Sequence, residues 1–266
     1  NFAFASDGSQ PLVDKGQVMA RQQFVVNTYK FDKVDTPAQA AAPASKKAKV
    51  QQAGNIEVEE TNSYVKVSAE RMSVTIGKKT GMIDYLDVDG EPMLKFRESM
   101  TPEFWRAPTD NDYGASLQKK MRVWKNPQMN LKNIDVKKDK KANTVTIVTS
   151  FDMPEVQGQM DITYVVFANT GAVKVTEDFK ATEGAKVSDM FRFGMLMQMP
   201  YTMEKSNYYG RGPIENYSDR KDCMRIAIYN DDADNQYFPY IRPQESGTKS
   251  DIRWWKQTDA TGLGLQ

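Results

Sequence analysis

Three stretches of this 266-residue chain gather carboxylates, amides, guanidiniums and aromatic rings densely enough to do chemistry. The first is Phe104-Trp105-Arg106-Ala107-Pro108-Thr109-Asp110-Asn111-Asp112-Tyr113-Gly114. Asp110, Asn111 and Asp112 present acceptors for hydroxyl groups or a cation. Pro108 fixes its own φ and biases Ala107 toward an extended backbone. Asp and Asn also bond readily to their own backbone, so a second reading stays open: a rigid, self-bonded loop with Arg106 paired to a carboxylate. The second stretch is Tyr208-Tyr209-Gly210-Arg211-Gly212-Pro213-Ile214-Glu215-Asn216-Tyr217-Ser218-Asp219-Arg220. Aromatic faces stack on sugar C–H surfaces, while Glu215, Asn216, Asp219 and Arg220 suit sugar hydroxyls. Its bland alternative is a loop held by pairs of the Glu215–Arg220 and Asp219–Arg211 type. The third is Pro239-Tyr240-Ile241-Arg242-Pro243-Gln244-Glu245-Ser246-Gly247, followed by Asp251-Ile252-Arg253-Trp254-Trp255. Trp254 and Trp255 are adjacent, so on a strand they face opposite sides; one is expected in the core and the other exposed.

What is missing narrows the chemistry. Histidine is absent, which excludes a Ser-His-Asp triad, a Cys-His pair and imidazole acid/base catalysis. The single cysteine, Cys223, allows neither an intrachain disulfide nor a thiolate zinc cluster. With 36 basic and 35 acidic residues the net charge is +1, so no field of one sign exists to draw nucleic acid or an anionic membrane. No run of about 18 apolar residues marks a membrane span, and no signal peptide is visible.

The elements that must position these stretches read as mostly β. Val145, Ile147 and Phe151 recur at even spacing, as do Ile162, Tyr164 and Val166, and Val173, Val175 and Phe179. Phe191, Phe193, Met195, Met197 and Met199 do the same. A period of two is that of a strand with one buried face. Asp89-Gly90 reads as a hairpin turn, and Lys137 to Lys141 as a charged turn. One short helix is expected where Leu117, Met121 and Trp124 recur at helical spacing. Residues 1–30 read as one unit with a strand over Gln17–Val26, too short to bury a core. Residues 31–54, rich in Ala, Pro and Lys, read as a mobile linker. Residues 55–266 then form a large antiparallel sandwich.

Taken together, the three stretches resemble the small C-terminal domain of the β-galactosidases of glycoside hydrolase family 2. The first matches that family's loop closely. The second carries its glycine-proline-any-glutamate-asparagine-tyrosine segment as Gly212 to Tyr217. The third differs at Ser246, where asparagine is usual. The likeness covers about residues 55–266, and residues 1–30 resemble the last strands of a preceding immunoglobulin-like domain.

The resemblance implies an all-β, galactose-mutarotase-like supersandwich, cut off before its C-terminal end. It implies a parent that hydrolyses terminal β-galactosides with retention, through two carboxylates about 5–5.5 Å apart. In the family both lie on a (β/α)₈ barrel of roughly 250 residues, which is not part of this sequence, so Glu215 and Glu245 are not taken as catalysts and the chain alone is expected to be inactive. The implied partners are that barrel, the immunoglobulin-like domain and a galactoside or oligosaccharide. No cofactor is expected in this chain; a divalent cation belongs with the parent's catalytic domain. The residues carried over for sugar binding, or for support behind a sugar site, are Arg106, Asp110, Asn111, Asp112, Gly114, Glu215, Asn216, Tyr217, Arg220, Glu245, Arg253 and Trp254, with Gly114 the hinge of a loop near the active site. The family's late sugar-pocket Trp lies beyond this sequence. A stand-alone carbohydrate-binding module is the competing reading. An aldose epimerase on the same fold is set aside, because that mechanism depends on histidine. Compartment stays open between the bacterial periplasm and cytoplasm.

Overall fold

Apolar side chains at every second position draw the longest stretches of the chain into antiparallel strands. The computed structural model describes residues 1–31, 55–69 and 71–266. The residues expected to form a linker lie outside the described residues, apart from Phe31.

Strands β1 (Phe2–Ala5) and β2 (Val18–Gln22) pair only with each other among the described residues, and every residue of both is exposed. The expected strand over Gln17–Val26 is therefore shorter. Beyond it, the Gln23 amide donates to the Ile226 carbonyl and accepts from the Ile226 N–H, both at 2.8 Å. One side chain thus supplies the two bonds that a neighbouring strand would supply. Tyr29 packs edge-on against Tyr209, with ring centroids 5.5 Å apart.

A five-stranded sheet follows in chain order: β3 (Glu57–Glu60), β4 (Tyr64–Ser68), β5 (Met72–Gly77), β6 (Ile83–Val88) and β7 (Glu91–Pro92). Asp89-Gly90 closes the last hairpin as expected, both residues at positive φ and Val88 opposite Glu91. Next comes the short β8 (Thr101–Glu103), then two helical turns, α1 (Asp110–Gly114) and α2 (Leu117–Lys120). The expected single helix through Leu117, Met121 and Trp124 is instead α2 and a separate 3₁₀ turn, Arg122–Trp124. Of the three apolar residues only Trp124 is buried, so no continuous apolar face exists to hold one longer helix.

Strands β9 (Asn130–Asp139), β10 (Thr144–Met153), β11 (Gly158–Phe167) and β12 (Ala172–Ala181) form a four-stranded meander. Lys137 and Lys138 lie within β9 rather than in a turn. The turn starts later because the Asp139 carboxylate accepts from the N–H groups of Lys141 and Ala142. Val145, Ile147, Phe151, Ile162, Tyr164 and Val166 are all within 3% of full burial. They meet Val65, Val67, Val74, Ile76 and Ile83 of the five-stranded sheet in one apolar core. Gly81 sits against the meander: it has φ +68, and a Cβ there would meet Leu131 and Phe151 at 2.7 Å.

Strand β13 (Gly194–Leu196) pairs with β8. The alternation over Phe191–Met199 forms a ladder only across these three residues, because β8 is itself only three residues long. The last sheet holds β14 (Lys205–Gly212), β15 (Arg225–Asp232), β16 (Trp254–Thr258) and β17 (Gly264–Leu265) in the order β15-β14-β16-β17. Trp255 stacks on the fully buried Tyr208 at 4.7 Å and 8°, while Trp254 lies on the other face near Tyr209. Both Trp residues are half-buried, so the expected split into one core and one exposed residue does not occur. The architecture is the all-β antiparallel sandwich that the alternation predicts. No helix among the described residues is long and apolar enough to cross a membrane.

Candidate functional site

The three stretches singled out in the sequence converge on one polar cleft of about 990 Å³. Its first wall is the segment after β8. Phe104, 2% exposed, anchors this segment against Trp124. Two residues on, Arg106 turns toward the cleft and lies over the Phe191 ring at 4.8 Å. Its guanidinium grips Asp112 with two nitrogens, Nη1 at 2.6 Å and Nη2 at 3.1 Å. Asp112 is 5% exposed and has a second task. Its carboxylate accepts from the Thr109 N–H at 2.8 Å, and its own N–H donates to the Thr109 hydroxyl, which closes a capping box on α1. Polar residues read as a loop therefore fold into a helical turn, and the Asp110–Asp112 cluster is split. Asp112 points inward; Asp110 is exposed and bound by Arg242 at 3.1 Å; Asn111 is exposed on the cleft rim.

The second wall follows β14. Asn216 is fully buried and ties three backbone segments together. Its amide donates to the carbonyls of Arg211 and Ile214, each at 3.1 Å, and its oxygen accepts from the N–H of Ser250 at 2.9 Å and from the Ser250 hydroxyl. Glu215, 9% exposed, accepts from Arg220 at 2.9 Å and from the Gly247 N–H at 2.8 Å. The expected Glu215–Arg220 pair is present. Arg211, however, pairs with Asp251 rather than Asp219, because β14 runs beside the segment entering β16 and brings the two together. That pairing holds the Asp251 carboxyl below its usual range.

Glu245 closes the cleft floor at 9% exposure. One carboxylate oxygen accepts from Arg192, and the other lies 3.5 Å from Arg106 Nε without a hydrogen bond. The Tyr217 hydroxyl donates to the Glu245 carbonyl at 2.6 Å, and burial pushes this phenol up to about 12. An alternating chain of charge, Asp112–Arg106–Glu245–Arg192, thus runs from the first stretch to the third.

Of the residues singled out from sequence, Arg106, Asp110, Asn111, Asp112, Asn216, Tyr217, Arg220 and Glu245 line this cleft. Glu215 stands behind its wall. Gly114, at the end of α1, faces open space, and Arg253 and Trp254 sit beside Tyr209, away from the cleft. Thr109 and Tyr240 lie inside the stretches singled out from sequence but were not among the site residues, and Arg192 lies outside all three stretches. Thr109 carried a detectable signal, a Ser/Thr three residues before an acid. Arg192 carried none, being one polar position in an alternating run. Among the described residues no three His, Cys, Asp or Glu side chains converge to hold a metal ion.

Fold and site together define a β-sandwich domain with an interlocked polar cleft formed by loops distant in sequence. Residues 68–266 match the family described as the beta galactosidase small chain. The chain belongs to that family. It is 28% identical over 250 residues to a β-galactosidase of Priestia megaterium, covering 94% of this chain and 22% of the relative. It is 30% identical over 232 residues to a β-galactosidase of Lactobacillus delbrueckii subsp. bulgaricus, covering 87% and 22%. A β-galactosidase of Halalkalibacterium halodurans is 26% identical over 215 residues, covering 80% and 21%. The chain spans about a fifth of the length of these curated relatives.

Proposed function

We propose that the chain is an accessory domain of a retaining β-galactosidase of glycoside hydrolase family 2, one that supports the active site without supplying the catalytic carboxylates. The observation that carries this reading is the commitment of the three buried carboxylates in and behind the cleft wall. Asp112 is held by Arg106 and a capping box, Glu215 by Arg220 and the Gly247 N–H, and Glu245 by Arg192 with Arg106 beside it. A glycosidase nucleophile must be free to attack the sugar, and its partner must pass a proton. Carboxylates bound to guanidiniums and backbone are placed to fix loops instead. Arg106, Asp112, Glu215, Asn216, Tyr217, Arg220 and Glu245 form that support, and Asp110 and Asn111 its outer rim.

The parent's catalytic barrel abuts the domain on the cleft side, and terminal β-galactosides are its substrates. A divalent cation, where the parent uses one, belongs to that barrel. Residues 1–30 are the end of a preceding immunoglobulin-like domain, a reading supported by a hairpin with no buried residue of its own. The test is turnover of a chromogenic β-galactoside. The purified 266-residue chain is expected to show none, and adding it to a β-galactosidase that lacks this segment is expected to raise activity. Turnover by the chain alone refutes the reading.

A further inference from the structure

We propose that the open edge of β12 is a pairing surface for a second copy of this chain, which extends the four-stranded meander into one continuous sheet across a two-fold axis at Thr176.

Sheets associate through their edges, because unpaired N–H and C=O groups there fit another strand. Among the described residues, the other edges are short or obstructed. Strands β7, β8, β13 and β17 have two or three residues each. The β1–β2 hairpin has four and five residues and a register shift. Strand β3 carries Glu57, Glu59 and Glu60. The Gln23 side chain holds the backbone of Ile226 on β15. Strand β9 shifts register against β10 and carries Lys132, Lys137 and Lys138, the last donating to the Ile56 carbonyl.

Strand β12 differs. It runs for ten residues, pairs with β11 without a register shift and ends its sheet. Its open side can be read from the ladder. The Thr182 N–H donates to the Gln157 carbonyl, one step beyond the Gly158–Ala181 pair. Bonded and non-bonded pairs alternate along antiparallel strands. Even-numbered residues of β12 therefore turn their N–H and C=O groups to β11, and Val173, Val175, Glu177 and Phe179 turn theirs to the open side. The Ala168 N–H, donating to the Asn143 carbonyl, fixes the same phase from the other side of β11.

A two-fold axis perpendicular to the sheet pairs β12 with itself antiparallel, and directly opposed side chains share a face. Charge then selects the register. With Thr176 on the axis, Lys174 faces Asp178 of the second copy, and Asp178 faces its Lys174. An axis at Glu177 sets Lys174 against Lys180 and Glu177 against itself. An axis at Asp178 sets that acid against itself, and one at Val175 leaves every charge opposite a neutral residue. Lys174 and Asp178 are both exposed and fall in non-bonded pairs, where opposed side chains come closest. Asp178 already stands opposite Asp161 of β11, so a cation on its open side offsets a like-charge pair.

The odd-numbered residues supply about eight backbone hydrogen bonds between the copies. Val173 and Val175 also open onto an apolar hollow of about 860 Å³ shared with Met197, Met199 and Leu265. Phe179 of the second copy faces Val173, so apolar surface is covered beside that hollow. Glu177 falls opposite Val175 on this inward row, and the buried acid keeps the association weak.

The experiment is sedimentation velocity of the 266-residue chain from about 1 to about 500 μM. A monomer–dimer equilibrium with a midpoint of some tens of micromolar, roughly the weak end of specific interfaces, is the expected result. Lys174→Asp and Asp178→Lys each set like charges against one another twice, and each is expected to weaken dimerisation at least about tenfold. Mixing the two variants restores opposite charges at both places, and the mixture should form a heterodimer within about threefold of the original midpoint. Both substitutions lie on the exposed face, so the urea midpoint of each variant should stay unchanged. Should either variant lose stability, the double variant Lys174→Asp/Asp178→Lys, with both pairs reversed, carries the same test and should dimerise like the original chain. A chain that stays monomeric at about 500 μM, a dimer indifferent to both substitutions, or a mixture no more associated than its components each overturns the proposal. None of these readouts depends on the accessory role, which turnover and complementation test separately.

Discussion

Replacing Arg106 by alanine tests whether the cleft is an interlock. The guanidinium is one-fifth exposed and touches Asp112, 7% exposed, and Glu245, 10% exposed, by their side chains. Removing one partner of a buried ion pair costs about 3–5 kcal/mol, because the other charge stays buried and uncompensated. Two features reduce that figure. Asp112 keeps the Thr109 N–H, and Glu245 keeps Arg192. Loss of the contact with the Phe191 face adds about 0.5–1 kcal/mol. The expected loss is therefore about 3 kcal/mol, a large part of the roughly 5–15 kcal/mol that a folded domain has. At about 2–4 °C per kcal/mol for a chain of this size, the thermal midpoint should fall by roughly 6–12 °C. Arg106→Lys keeps the charge but not the two-pronged grip on Asp112, and should lose about half as much. Urea unfolding followed by tryptophan fluorescence measures these values. A cycle with Asp112→Ala then isolates the pair, with a coupling above about 1 kcal/mol expected. An Arg106→Ala variant within about 0.5 kcal/mol of the parent chain, or a coupling near zero, refutes the interlock.

Other sites give independent checks. Asn216→Ala leaves the Ser250 N–H and the Arg211 and Ile214 carbonyls without their partner, and at full burial should cost about 3 kcal/mol in the same urea assay. Gly81→Ala forces a left-handed backbone onto a Cβ 2.7 Å from Phe151, and should cost about 2–4 kcal/mol with loss of near-ultraviolet dichroism. Glu177 lies on the inward face of β12, opposite Ile162, and burial raises its pKa in the folded state. Its charged form is therefore disfavoured by folding: that penalty is absent below the unfolded pKa and grows as pH rises through the folded one. Glu177→Gln should raise stability at pH 7 by less than about 1 kcal/mol after solvent screening, read as a higher thermal midpoint, and the gain should vanish near pH 4.

Most of the sandwich was legible because its strands alternate without interruption. Val145 to Phe151 and Ile162 to Val166 have no other way to bury one face, and Asp89-Gly90 suits the positive φ angles its turn requires. The same signal overreached at Phe191–Met199. Alternation records which face is apolar and says nothing about how long the partner strand is. Helix α1 was missed for the opposite reason: three polar residues in a row have no apolar period, and only the pairing of Thr109 with Asp112 turns them into a helical turn. In the site, Glu215–Arg220 was readable because both ends lie on one loop. Arg211–Asp251 and Arg192–Glu245 were not, since 40 and 53 residues separate their members. Only the sheet order brings them together.

That distance in sequence also explains the chemistry of the cleft. Loops of such polarity bury too few apolar groups to be fixed by packing, yet the ends of β8, β14 and β16 must stay in register for the cleft to exist. Carboxylates alternating with guanidiniums supply the constraint. The contacts tie the first loop to itself through Arg106 and Asp112, the first loop and Arg192 to the third through Glu245, and the second to the third through Glu215 and Asn216. Removing one member weakens what holds its neighbours, even where they keep another partner, so double substitutions within the chain should cost less than the sum of the single ones. A set of acids used as independent catalysts would instead show separable losses of turnover without loss of stability. The two patterns differ in kind, and the Arg106–Asp112 cycle distinguishes them.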